Sequence, residues 1–191
     1  VNDLSFFISH RLPIAEAALA KEFNVVIGYG ELGGADLKLL GNKGFKTKHI
    51  PMHRGGINPL RDFVTFIYIW KFIKKERPDI SHMVTIKPYL YGGIISRLMG
   101  VKSLVSAVSG LGSLFISKDI KTRFLRLLLY PFYKLAFNHS NQKVIVQNED
   151  DLKVFVDWGV LQPSKTKLLK GSGVNLKNFI KETQFNKYKN Y

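Results

Sequence analysis

The sequence has no cysteine among its 191 residues, which removes disulfides, cysteine-ligated zinc, iron–sulfur clusters and a thiol nucleophile together. Acidic residues are scarce: 14 stand against 29 lysines and arginines, for a formal charge of +15. A surplus of that size favours an anionic partner, whether nucleic acid, a phosphate-rich substrate or an acidic lipid surface. A basic proteome would give the same number, and the balance alone does not choose. Long hydrophobic runs are missing too. The longest uncharged stretch, Ser103 to Ser117, is broken by Gly110 and Gly112 and falls short of the ~20 apolar residues a spanning helix needs. Val1 opens the chain without a basic n-region or a long apolar core, so no signal peptide is expected. What is present, 46% hydrophobic and 23% charged residues, is the composition of a globular protein of about one domain.

Short β-branched runs alternate with amphipathic segments from end to end. Strands are predicted at Val25–Ile27, Lys46–Ile50, Ile80–Val84, Ser103–Val108, Lys143–Val146 and Lys165–Leu169. Helices are predicted at Leu12–Glu22, Ala35–Asn42, Tyr89–Met99, Ile120–Phe137 and Glu149–Trp158. The clearest helix has Asn58 as its cap, Pro59 at its first position, a buried stripe of Leu60, Phe63, Val64, Ile67 and Trp70, and a stop at Pro78. Strand–helix alternation with connections this long requires parallel pairing. The fold class is therefore α/β: a Rossmann-like, doubly wound, mainly parallel sheet with helices on both faces and strands apolar on both sides.

Ligands of such sheets bind beyond the carboxyl ends of the strands, so the loops there carry the chemistry. Gly28-Tyr29-Gly30-Glu31-Leu32-Gly33 matches a dinucleotide fingerprint, but the region about 20 residues on, Lys48-His49-Ile50-Pro51, offers no acid for the ribose. Thr85 and Lys87 bring a hydroxyl and an ammonium to a strand end, where they suit a phosphate or a sugar hydroxyl; a solvated surface lysine is the ordinary alternative. Ser109-Gly110-Leu111-Gly112-Ser113 lets backbone approach a ligand closely, or simply turns tightly. His82, inside a strand, reads as a core histidine. The acids of Asn148-Glu149-Asp150-Asp151 read as a helix cap, and Asn138-His139-Ser140 as a chance glycosylation acceptor. The segment Ile120 to Phe137, basic and rich in aromatics, fits either a lipid interface or a core helix with a solvated basic face.

Read in order, these loops resemble the N-terminal half of a GT-B glycosyltransferase of glycosyltransferase family 4. The resemblance is carried by Ser5-Phe6-Phe7-Ile8-Ser9-His10-Arg11-Leu12-Pro13 and by Arg77-Pro78-Asp79-Ile80-Ser81-His82 leading into Thr85-Ile86-Lys87-Pro88. It continues in Tyr91-Gly92-Gly93 with Arg97-Leu98-Met99-Gly100-Val101, in Val108-Ser109-Gly110-Leu111-Gly112, and in Gly171-Ser172-Gly173-Val174-Asn175 with Phe179. It implies an acceptor-binding domain over residues 1–180, with most of its first strand ahead of Val1, and a polar linker over 181–191. The family's donor-binding domain, with its paired glutamates, is not in this sequence. The activity implied is transfer of a sugar, with retention, from a nucleotide-sugar such as a UDP-sugar to a lipid-linked or polysaccharide acceptor of cell-surface glycans, including capsule and O-antigen. Such an enzyme works in the cytoplasm, peripherally on the inner face of an anionic plasma membrane.

The same resemblance places Asn2, Ser5, His10 and Arg11 along the cleft, Thr85 and Lys87 on an anionic acceptor, and Ser109, Gly110 and Gly112 at its floor. Gly171, Ser172 and Gly173 would face the donor domain. In some relatives the residue before Gly-Leu-Gly is a histidine or an acid; here it is Ser109, so no dedicated base is visible, and no tightly bound cofactor, metal or nucleic acid is implied. The alternative is a basic Rossmann-like module that binds nucleic acid or a dinucleotide and transfers nothing. The chain in isolation is expected to be inactive in sugar transfer.

Overall fold

Most helices begin where the sequence supplies an oxygen for the orphan amides of a first turn. The computed structural model describes residues 1–56, 58–117 and 119–171. In it Asp3 caps α1 (Leu4–His10), and α2 (Leu12–Leu19) follows without a side-chain cap. Asp36 caps α3 (Leu37–Asn42), and Asn58 caps α4 (Pro59–Glu76). A π-helical turn, Pro88–Gly92, leads into α5 (Gly93–Leu98), and the short α6 (Ser113–Ile116) precedes α7 (Ile120–Ala136), which Asp119 caps. Asn148 caps α8 (Glu149–Asp157), whose acids lie in its first turn as expected of a structural role. Left-handed Arg77, before Pro78, ends α4. Two stretches expected as loops are helical, α1 and α6.

The strands are β1 (Val26–Tyr29), β2 (Lys46–His49), β3 (Ile80–Val84), β4 (Ser103–Val108), β5 (Gln142–Val146) and β6 (Thr166–Leu168). Every pairing among them is parallel, in an α/β Rossmann-like fold. The single sheet expected is, however, two sheets: β1-β2, and β3-β4-β5-β6 in that order. Between them lies a slot of about 430 Å³ whose walls include Ile27, Ile50, Ile73, Ile80 and Val84. At the carboxyl end of β1 the first residues run alongside it: the Val1 amine donates to the Gly28 carbonyl at 2.9 Å, the Gly30 N–H to Val1 at 3.1 Å and the Glu31 N–H to Asn2 at 2.8 Å. Asp3 then bridges Glu31 in parallel.

Three apolar clusters hold the layers together. Tyr89, Val108, Tyr133, Phe137, Phe155 and their neighbours join β4 and β5 to α7 and α8. Leu4, Phe7, Ile27 and Leu40 pack α1 and α3 on β1. Ile50, Met52, Ile69, Ile73 and Ile95 seat α4 and α5.

Two expectations about burial fail. On α4, Leu60 and Phe63 are 81% and 65% exposed and Val64 is exposed too, while Asp62, Thr65, Ile69 and Ile73 face inward. Both stripes step by three or four residues, so periodicity permits either. The inner one wins because its polar head is satisfied: Thr65 Oγ1 donates to the Pro51 carbonyl at 2.6 Å, and Asp62 meets a lysine described below. On β2, Lys46, Lys48 and His49 are exposed, and the charged side chains of this edge strand discourage further pairing.

His82 is not a satisfied core histidine. It is exposed and opens on the slot, where the crowding of its ring by the slot's walls and the nearby Arg11 guanidinium lower its pKa from the ordinary histidine value.

Candidate functional site

Parallel strands place their carboxyl ends together, and the loops leaving β1, β2, β3 and β4 converge there. The β3 loop begins at Thr85, whose φ of +74° is unusual for a β-branched residue; its hydroxyl donates to the Val84 carbonyl. The turn delivers Lys87 to the first turn of α4, where its Nζ lies 2.7 Å from Asp62 Oδ1, with the two side chains only 13% and 10% exposed. Asp62 Oδ2 also accepts the Asn58 N–H at 3.1 Å. Burial, with Asp62 adding to it, raises the Tyr91 phenol well above the usual tyrosine range. A pocket of about 170 Å³ opens beside the ion pair, walled by His53, Gly55, Gly56, Asn58, Arg61 and Thr65.

The β4 loop closes on the same place. Gly110 and Gly112 have φ of +137° and +72°, a conformation glycine enters freely. A Cβ at Gly112 would stand 2.9 Å from Ile86 Cδ1, so the two loops touch, and it is the positive φ more than this flexible neighbour that favours glycine there. Ser109 Oγ is buried without a hydrogen-bond partner among the described residues. The loop is anchored through Phe115, whose ring lies 5.8 Å from Tyr133 and 5.2 Å from Phe155. Tyr133, its phenol pushed up to about 12 by burial, holds its proton at neutral pH and serves as packing.

Of the residues singled out from sequence, Lys87 lines the pocket, Thr85 heads the same loop, and Gly112 of the β4 loop meets that loop at Ile86; Ser109 and Gly110 lie on the β4 loop beside it. Lys87 is not a free ammonium there, because Asp62 holds it. Asn2 and Ser5 join the adjoining β1 loop: Ser5 Oγ donates to Asp3 Oδ1 at 2.6 Å, and together with the Phe6 N–H holds the Asp3 carboxyl below its ordinary range. His10 and Arg11 are not brought there. Asp3 starts a helix at once, and seven helical residues carry the chain roughly 10 Å away. His10 ends stacked on Phe6 with ring centroids 4.4 Å apart, and Arg11, largely buried, lines the slot between the sheets. Gly171 is exposed at φ +71°; Ser172 and Gly173 lie outside the described residues.

Sequence reasoning missed His53, Arg61 and Asp62. The signal for Asp62 was an acid four residues after a helix-capping asparagine and on the same helix face as Thr65 and Ile69. The fingerprint glycines, in turn, do not cradle a pyrophosphate. A Cβ at Gly33 would lie 2.7 Å from both Asp3 Oδ1 and Ser5 Oγ, so a carboxylate already stands where the anion would sit, and α3 begins only at Leu37.

This α/β half, open at its strand ends, belongs to the glycosyl transferase 4-like family, whose pattern it matches over residues 3–148. It is similar to the UDP-Gal:alpha-D-GlcNAc-diphosphoundecaprenol alpha-1,3-galactosyltransferase of Escherichia coli, with 25% identity over 130 residues. Those residues are 68% of this chain and 32% of that enzyme, so the chain spans about a third of the length of the relative it matches.

Proposed function

We propose that the chain is the acceptor-side domain of a retaining glycosyltransferase. It would receive a hexosyl or N-acetylhexosaminyl unit from a nucleotide-sugar onto a lipid-linked or polysaccharide acceptor in cell-surface glycan synthesis. The observation that supports this is the pocket between the loop after β2, the start of α4 and Lys87 of the β3 loop. It is open and edged by Gly55 and Gly56, with Arg61 and Lys87 supplying positive charge, inside the stretch that matches the family. The donor-binding half would lie beyond the linker over residues 181–191, and the remainder of the first strand would fill the slot beside β1. The galactosyltransferase relative is named for a diphosphoundecaprenol-linked acceptor, and an acceptor of that chemistry suits a domain of +15 charge.

In a front-face transfer, the acceptor oxygen bonds to the anomeric carbon as the bond to the nucleotide's phosphate breaks, and the leaving phosphate takes the acceptor proton. That route asks no base of this domain, in keeping with Ser109 at the loop head and with phenols at Tyr89, Tyr91 and Tyr133 whose proton affinity is raised. No helix among the described residues is long and apolar enough to cross a membrane. A lipid-linked acceptor would bring the enzyme to the inner face of the plasma membrane, where it would work peripherally.

Incubated with nucleotide-sugar and lipid-linked acceptor, the 191-residue chain is expected to transfer nothing, while the longer protein that contains it turns over. Arg61→Gln, at an exposed position on the pocket wall, is expected in that longer protein to raise the acceptor KM about tenfold, the loss of one charge-assisted contact. Turnover by the isolated chain would contradict the proposal. Steeply salt-dependent binding to any DNA duplex, with no acceptor binding, would replace it by a basic binding module.

A further inference from the structure

Helix α7 shows to solvent what a helix of this layer ordinarily hides. Of its 17 residues, Tyr133 and Ala136 are fully buried. Ile120, Phe124 and Leu127 are 83%, 69% and 71% exposed, and Leu128 and Phe132 are exposed as well. At 100° per residue Ile120, Phe124, Leu127 and Leu128 form one stripe within about 100° of arc, turned away from Tyr133, and Phe132 lies at its edge towards Ala136. Lys121 and Arg123 flank the stripe near its start and Lys134 near its end, all exposed, and the helix contains no acidic residue.

The stripe has company. α5 packs between α4 and α7, so the three share a face of the molecule, as successive right-handed crossovers require. The exposed Leu60 and Phe63 of α4 therefore belong to the same layer. Crossover helices run against their strands, so α4 and α7 both begin at the carboxyl-end side, where the crevice lies.

We infer that the outer face of α7 docks the protein on an anionic lipid bilayer, bringing the mouth of the crevice to the membrane surface. The charge pattern selects this occupant. An apolar stripe edged by cations and without acids suits an acidic headgroup layer. Two copies meeting through α7 would set like charges against each other, and the core of a protein interface is depleted in lysine. The orientation rests on the lipid-linked acceptor proposed above; adsorption itself does not depend on it.

The test uses vesicles without any acceptor lipid, sedimented with the 191-residue chain. The chain is expected to pellet with phosphatidylglycerol–phosphatidylcholine vesicles and not with phosphatidylcholine alone. Phe124→Ser with Leu127→Ser should weaken binding about a hundredfold, and Lys121→Gln with Arg123→Gln on the order of thirtyfold. Leu98→Ser, also exposed but at the far end of α5, should change nothing. All of these positions are solvent-exposed, and circular dichroism verifies that each variant is folded. Equal binding to both vesicle types, or unchanged binding by folded α7 variants, would overturn the inference. So would a dimer that the α7 substitutions abolish while vesicle binding persists. Vesicle binding as expected, with no binding of lipid-linked acceptor, would leave this inference standing and remove the functional proposal.

Discussion

Replacing Asp62 by alanine is expected to lower folding stability by about 3–5 kcal/mol, among the largest effects of any polar substitution in this chain. The magnitude comes from what is left behind. Lys87 and Asp62 face each other at 2.7 Å with little solvent on either, so removing the carboxylate leaves an ammonium whose relief comes only through the neighbouring pocket. The Asn58 N–H loses its acceptor in the same change. The β3 loop and the first turn of α4 then have less to hold them together, and acceptor binding should suffer with stability. Urea denaturation checks the size. Because the intact pair contributes little beyond its own desolvation cost, the double replacement Asp62→Leu with Lys87→Met should recover most of the loss. A single Asp62→Ala that unfolds at the parent's urea midpoint would show that solvent screens the pair.

Phe155→Ala is expected to cost about 3–5 kcal/mol, through the cavity it leaves in a core that cannot close around it. The ring is fully buried and lies 5.2 Å from Phe115, 5.9 Å from Tyr133 and 5.5 Å from Phe137. Those partners come from α6 and α7, so the loss reaches beyond α8. Phe115 follows the β4 loop directly, and loosening it should let Gly110 and Gly112 sample other conformations. Amide exchange in residues 109–112 is expected to accelerate more than in β1, which belongs to a different cluster. Uniform acceleration throughout the chain would mean that the loop has no special dependence on this core.

The α/β class was legible because strand and helix periods alternate cleanly and because Asn58, Pro59 and Pro78 mark their helix without ambiguity. The division into two sheets was not: pairing depends on which strands meet in space, and β1 and β3 are separated by 50 residues of chain. α4 shows a different limit. Two faces satisfied the helical period, and the more apolar one, with Leu60 and Phe63, turned outward because Asp62 and Thr65 had partners waiting inside. Strand-end position places Thr85, Lys87 and Ser109 on the β3 and β4 loops, and of the three Lys87 lines the pocket beside α4. His10 and Arg11 do not reach it, because Asp3 caps a helix over residues whose sequence reads as loop. That Lys87 would be ion-paired could not be seen without Asp62, 25 residues away.

Hydrogen exchange of the chain in the presence of a short-chain diphospholipid-linked sugar, compared with a UDP-sugar, addresses the acceptor-side assignment most directly. The acceptor analogue is expected to slow exchange in residues 53–62, 85–91 and 109–115, with the UDP-sugar leaving them unchanged. Protection of those loops by the UDP-sugar, with none from the acceptor analogue, would show that the crevice belongs to the donor.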